Sequence, residues 1–328
     1  MKRMSMFIWA TAAIILSFAV SPTPSRSQPV GEPLLMENIP NAIYWDIYVA
    51  IDKGFFQAEG FAPQLVQSQS TAQAIQMLVS RGVHISTAQP EPMIAAIERG
   101  ASDIGILCAP ADFPDWVLMA SSDINTIADL KGKTLGFSGL RVGEYWLTLQ
   151  ALAQNGLKSE DVSAIVVGPT PAKLAALEKK SISGAVLFQP GAAIAQRNGA
   201  KPLFRFASLP SFPALVYVAS RTWAAENNHG KRFTAAITKA HSFLYDLKNR
   251  DEAVTILAKY TKRDAALLGG VYDLYFVTDK LYSRDAAVSV AGLERVTALM
   301  AANGEFQAKA PPPPSAYILP SSVGALSR

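Results

Sequence analysis

From residue 34 to residue 220, short apolar runs alternate with stretches whose apolar positions recur at three- and four-residue steps. LLMENI (34–39), PQLVQ (63–67), VHISTA (83–88) and DIGILCA (103–109) read as strands. Between them lie three predicted helices. One runs through Tyr44, Ile47, Tyr48 and Ile51 until Gly54 ends or bends it. The second is AQAIQMLVS, capped by Ser70 or Thr71 and closed by Gly82. The third is EPMIAAIER, with Pro92 in its first turn and Gly100 after it. Strands alternating with helices of about ten residues predict βαβ units and a mostly parallel sheet.

The rhythm breaks at APADFPDW (109–116), and WVLMAS then reads as a strand leaving the first unit. INTIADLKGK (124–133) predicts a short helix. A second alternating series follows: KTLGFS, VGEYWLTLQALAQNG, AIVVG, TPAKLAALEKK, GAVLF, PGAAIAQRNG and LFRFA. PSFPALVYVAS (210–220) reads as a returning strand. After Arg221 the pattern is almost wholly helical, including a last helix over 284–304, and Pro311 to Pro314 read as a polyproline II strap. The plan is therefore α/β: two α/β lobes joined by two crossing strands, with a cleft between them. The expected division is 28–118 and 213–328 in the first lobe and 119–212 in the second.

Composition narrows the setting. Half of the 328 residues are apolar and 17% are charged, so a large core forms and global disorder is excluded. Lys2 and Arg3 precede an apolar run over 7–20, then Pro22 and Pro24 and the small residues Ser25 and Ser27. That is the pattern of a secretory signal peptide over 1–27, cleaved near Ser27, and no later run reaches the ~18 apolar residues of a spanning helix. Cys108 is the only cysteine, which excludes an intrachain disulfide and leaves no lipid-anchoring cysteine at the cleavage point. The expected location is the periplasm. Cys108 itself reads as a small buried hydrophobe. A net charge of +4 without a basic stripe gives no nucleic-acid partner.

Enzymatic signatures fail one by one. Gly132–Thr134 (GKT) lacks the earlier glycine of a phosphate loop and sits between a helix and a strand, so it reads as a turn. GFSG (136–139) lacks the last glycine of a nucleophile elbow. His84, His229 and His241 are scattered, which supports neither a triad nor a metal site, and His84 reads as structural. No cofactor is called for.

What remains are polar and aromatic residues just after strand carboxyl ends, where open parallel sheets bind ligands. Asn38, Asn41, Tyr44 and Trp45 follow the first strand, with the two rings expected to stack on a ligand. Ser68, Ser70 and Thr71 follow the second, at a helix N-terminus suited to polar groups. Thr87 and Gln89 follow the third. In the second lobe Ser138 and Arg141 follow one strand and Gln189 another, beside Phe188 and Pro190. Ordinary turn and capping chemistry explains each segment alone; their convergence at corresponding ends of two lobes is what points to a cleft. Arg141, as a guanidinium fork, suggests a carboxylate or sulfonate.

At these residues the chain resembles the substrate-binding proteins of nitrate/sulfonate/taurine-type ABC transporters, the family that includes the NMT1/THI5-like pyrimidine binders. YVAIDKGFFQAEGF (48–61) matches its helix-and-turn signature, INTIADLKGKTLGF (124–137) its short-helix motif, and GAVLFQP the segment with proline after an apolar strand. The resemblance covers roughly residues 32–305. It implies a type II periplasmic-binding-protein fold, a cleft between lobes, and delivery of bound solute to an inner-membrane ABC permease with its ATPase. The expected protein is a monomer without catalysis that captures a small anionic or aromatic molecule: a sulfonate, a carboxylate or a pyrimidine-like ring. A sensory protein feeding a membrane receptor and a secreted enzyme using the same cleft are the alternatives. Val83 and His84 stand where the family commonly has a small residue and an acid.

Overall fold

A computed structural model describes residues 31–306, 311–320 and 326–327, without the side chains of Thr71, Leu326 and Ser327; the expected signal peptide lies outside the described residues. In chain order the elements are β1 (Glu32–Asn38), α1 (Trp45–Asp52), α2 (Phe55–Ala58), β2 (Phe61–Gln67), α3 (Thr71–Val79), β3 (Ile85–Ala88), α4 (Pro90–Glu98) and β4 (Ile104–Cys108). Then come β5 (Val117–Ala120), β6 (Thr134–Phe137), α5 (Gly143–Gln154), β7 (Ser163–Val166), α6 (Thr170–Glu178), β8 (Gly184–Leu187), α7 (Gly191–Arg197) and β9 (Lys201–Arg205). β10 (Val216–Ser220), α8 (Arg221–Ala225), α9 (His229–Tyr245), α10 (Arg250–Thr261), α11 (Ala265–Tyr272) and α12 (Val290–Ala302) complete it.

The strands form two five-stranded sheets, ordered β2-β1-β3-β10-β4 and β7-β6-β8-β5-β9. β1 runs parallel to β2 and β3, as β6 does to β7 and β8. The two crossing strands are the antiparallel members: β10 lies against β3 and β4, and β5 against β8 and β9. This is the two-lobed α/β architecture that the alternation predicts. In each sheet the chain leaves a central strand, β1 or β6, first to one neighbour and then to the other. The gaps between the ends of β1 and β3, and of β6 and β8, are therefore topological switch points, where such sheets open a crevice.

Local chemistry sets the element ends. Gly54, at φ +71°, provides the left-handed residue between α1 and α2 that a side chain adopts only with strain. α2 packs against α9, with Phe56 stacked on Phe233 at 5.5 Å, so the 48–61 signature segment is a structural corner. Ser70 caps α3 by accepting the Gln73 N–H at 3.2 Å. Gly132, at φ +74°, makes GKT the turn that the sequence predicts. Cys108 is fully buried, and burial pushes its thiol upward.

Three expectations are corrected. The short helix over 124–133 is only a 3-10 turn, Ala128–Leu130, because Asp129 accepts the N–H groups of Asn125 and Thr126 and holds the backbone in a local turn. The last helix begins at Val290, not near 284, since Val288–Ser289 pairs as a strand with Leu326–Ser327 and Ser289 caps the helix through the Gly292 N–H. The proline strap is extended at Pro313 but turns into a 3-10 helix, Pro314–Tyr317, which buries the Tyr317 ring.

One core packs α1, α9, α10 and α11 against the first sheet. A second runs continuously across both lobes through α4, α5 and α12. At its centre Trp116 is met edge-on by Phe188, Phe206 and Phe212 at 5.7, 5.9 and 6.3 Å. Among the described residues no helix is long and apolar enough to cross a membrane.

Candidate functional site

The switch points of the two sheets face one another across a cavity of about 130 Å³. The segment after β1 supplies Ile39, Asn41 and Tyr44, and β3 with the residue after it supplies Thr87 and Gln89. The second lobe supplies Ser138 after β6, the start of α6, and the loop over 188–191 after β8. The lobes meet at its edge, where the Ala42 N–H donates to the Gln189 carbonyl at 3.1 Å.

Each wall is backed by a buried carboxylate. In the first lobe Glu37, fully buried in β1, accepts the Ser68 hydroxyl at 2.5 Å, the Thr87 N–H at 3.1 Å and, weakly, the Tyr44 hydroxyl at 3.4 Å. Burial raises its carboxyl above the ordinary range, and these donors only partly oppose that. The Thr87 hydroxyl, beside the Tyr44 hydroxyl, is buried without a hydrogen-bond partner of good geometry. In the second lobe Glu144, in the first turn of α5, accepts the Ser138 N–H at 2.6 Å and the Ser138 hydroxyl at 2.8 Å. It also accepts the Lys173 ammonium from α6 at 2.9 Å, and both members of that ion pair are fully buried.

A third carboxylate lies between the lobes. Glu91, at the start of α4, presses on the first turn of α5, so closely that a Cβ on Gly143 would collide with Glu91 Oε1. Burial raises Glu91 to about 7, with the Glu144 charge adding to the shift and the Gly143 amide opposing it.

Of the residues expected at the site, Asn41, Tyr44, Thr87, Gln89, Ser138 and Gln189 line this one cavity. Asn41 also caps the turn after β1 through the Ile43 N–H at 2.9 Å, and Gln189 accepts the Ala193 N–H at 3.1 Å. The others lie elsewhere. Asn38 is buried behind the wall, accepting the Tyr48 hydroxyl at 2.6 Å. Ser68 is committed to Glu37, and Ser70 caps α3 away from the cavity lining; the expected Thr71 side chain lies outside the described residues.

Trp45 is a correction. It follows Tyr44 directly, so in the helical turn its ring points about 100° away from the cleft. There it is fully buried, donates to the Ala253 carbonyl at 2.8 Å and meets Tyr272 and Phe276 edge-on. Arg141 is the second correction. It is 63% exposed and forks onto Glu305 after α12. That pair joins the second lobe to the C-terminal helices, as do Arg197 with Asp264 and Arg205 with Asp279. His84 is structural: its Nδ1 accepts the Leu35 N–H at 3.1 Å, and its ring stacks on Trp223 at 5.5 Å.

Sequence reasoning missed Lys173, Thr170, Thr261 and Arg263 among the lining residues. Thr170 and Lys173 open α6, whose polar start after Gly168 and Pro169 was the available signal. Thr261 ends α10 and Arg263 lies in the turn to α11, which closes over the cleft where α11 touches α7.

The comparisons with known proteins agree with the fold. The family model described as NMT1/THI5 like matches residues 41–252. A curated relative, the formylaminopyrimidine-binding protein of Halalkalibacterium halodurans, is 23% identical over 238 residues, 71% of each chain. The riboflavin-binding protein RibY of Chloroflexus aurantiacus is 26% identical over 174 residues, 46% of this chain and 48% of that one. Among solved structures, the ligand-binding component of an ABC-type import system from Staphylococcus aureus superposes with a TM-score of 0.75 at 17% identity. That match covers 90% of this chain and 99% of the other.

Proposed function

The chain belongs to the NMT1/THI5-like family, and from that membership we propose that it is an exported, monomeric solute-binding protein for a flat, uncharged heteroaromatic molecule. The solute is captured between the lobes and handed to an inner-membrane ABC permease with its ATPase. The two curated relatives it matches are named as binding proteins.

The observation that carries the ligand class is the charge state of the cavity. Its cationic lining residues are Lys173, already paired with buried Glu144, and Arg263, exposed at the rim. With Arg141 committed to Glu305 outside the lining, nothing among the described residues of the inner wall matches a sulfonate or carboxylate. What faces the cavity is neutral: Tyr44 and Phe188 as aromatic surface, and amides and hydroxyls as donors and acceptors. The unpartnered Thr87 hydroxyl is one hydrogen-bonding position for the solute to fill. The nitrogen heterocycles named for the two curated relatives are molecules of this kind.

Isothermal titration against aminopyrimidines, flavins, aromatic carboxylates and alkanesulfonates tests the reading. Binding confined to the first two classes is the expected result. Tight binding of sulfonates with no response to heterocycles overturns it.

A further inference from the structure

Glu144 is one of the most heavily used side chains of the second lobe, yet it does not border the cavity. Among the described residues its three donors come from two residues that do, Ser138 and Lys173, on separate elements. The Lys173 ammonium and the Ser138 N–H share a single oxygen, Oε1, at 2.9 and 2.6 Å. That places the ammonium one carboxylate's breadth behind a residue of the cavity wall. Without Glu144 this would be an uncompensated, buried positive charge beside two hydrogen-bond donors, the chemistry that captures an oxyanion. With Glu144 the same group is a neutral pair, and Ser138 has its hydroxyl proton and its N–H turned away from the cleft.

We propose that Glu144 sets the charge selectivity of the cleft: it cancels Lys173 behind Ser138, so that the second-lobe wall accepts an uncharged group and rejects an anion. Glu144 is a positioning residue, acting on the solute only through Ser138 and Lys173. The arrangement also explains why a lysine is tolerated at full burial in the lining of a neutral cavity. An unpaired ammonium there would be costly, whereas this one has a partner fixed by two further hydrogen bonds. The inference deepens the proposed function and rests on the cavity being the solute site, but its test does not require the natural solute.

Sodium sulfate is the probe, measured by isothermal titration at matched ionic strength. The wild-type protein should show no saturable sulfate binding. Glu144→Gln, which keeps the shape and removes the charge, should bind sulfate at least tenfold more tightly than wild type. The double variant Glu144→Gln/Lys173→Met should lose that gain, because the unmasked ammonium is gone. A purely structural role for Glu144 would not produce a gain of anion affinity that depends on Lys173.

If Glu144→Gln does not fold, Glu144→Ala supplies the second readout. It leaves a hole beside Lys173 and Ser138, and added formate, standing in for the lost carboxylate, should restore folding followed by circular dichroism. Saturable sulfate binding by wild type, no gain in the folded single variant, a gain retained in the double variant, or no formate rescue of an unfolded Glu144→Ala would each overturn the assignment. Failure of the heterocycle panel with success here would refute the proposed solute class and leave the role of Glu144 standing.

Discussion

Glu37 and Glu144 stand behind opposite walls of the same cleft, each fully buried and each accepting three hydrogen bonds. They differ in what balances the charge. Glu144 has an ammonium at 2.9 Å, while Glu37 receives two hydroxyls and one backbone N–H, with no cation paired to it among the described residues. A buried carboxylate without a counterion responds by holding its proton more tightly, and burial does raise Glu37. The first-lobe carboxyl is thus held by burial and three neutral donors, and the second is balanced by an ammonium. Two nearly equivalent sheets accommodate a buried carboxyl by different chemistry.

The largest effect should come from breaking the paired wall. Lys173→Met strands the Glu144 carboxylate at full burial, and removing one partner of a buried pair costs about 3–5 kcal/mol. Urea unfolding measures it; a loss below about 1 kcal/mol would mean that Glu144 does not depend on Lys173 for its balance.

The second effect lies between the walls, at Glu91. Its folded value of about 7 exceeds its ordinary 4.5, so between these pH values the native state holds a proton that the unfolded chain releases. Stability therefore falls as pH rises through that window, by about 3 kcal/mol in all, and levels off on either side. Asp112 and Asp115, both pushed up to about 6, act in the same direction over its lower part. Thermal melts from pH 5 to pH 8 should show the decline, and Glu91→Gln should flatten the part nearest pH 7. An unchanged slope in the variant would remove Glu91 from the account.

Glu37→Gln should be milder than Lys173→Met, about 1 kcal/mol, because the amide oxygen still accepts the Thr87 N–H and no cation is left behind. Equal losses at both walls would erase the distinction drawn between them. Smallest of all is Arg141→Ala. Its ion pair with Glu305 leaves the guanidinium largely in water, so the cost should stay below about 1 kcal/mol, with solute affinity unchanged in titration.

The comparison also shows why the sequence was more informative about the fold than about the site. Alternating runs located the parallel strands of both lobes, and strand ends then located Thr87, Gln89, Ser138 and Gln189 without any contact information. Tyr44 and Trp45 fared differently because adjacent helical residues cannot share a face, and nothing local says which of the two looks into the cleft. Glu37, Lys173 and Arg141 were illegible for another reason. Their partners are set by tertiary packing: Thr87 lies 50 residues from Glu37, Glu144 lies 29 from Lys173, and Glu305 lies 164 from Arg141. In the sequence Lys173 is one of several helix lysines, and only folding distinguishes it from its solvated neighbours Lys179 and Lys180. Thr261 and Arg263 required knowing that the C-terminal helices return over the cleft.

The central claim is that one solute is held at the facing switch points of the two sheets. A crystal structure of the protein grown with the tightest-binding heterocycle of the titration panel tests it most directly. The account predicts a ring between Tyr44 and Phe188, hydrogen-bonded to the Thr87 hydroxyl. An empty cavity with the molecule bound elsewhere would contradict it.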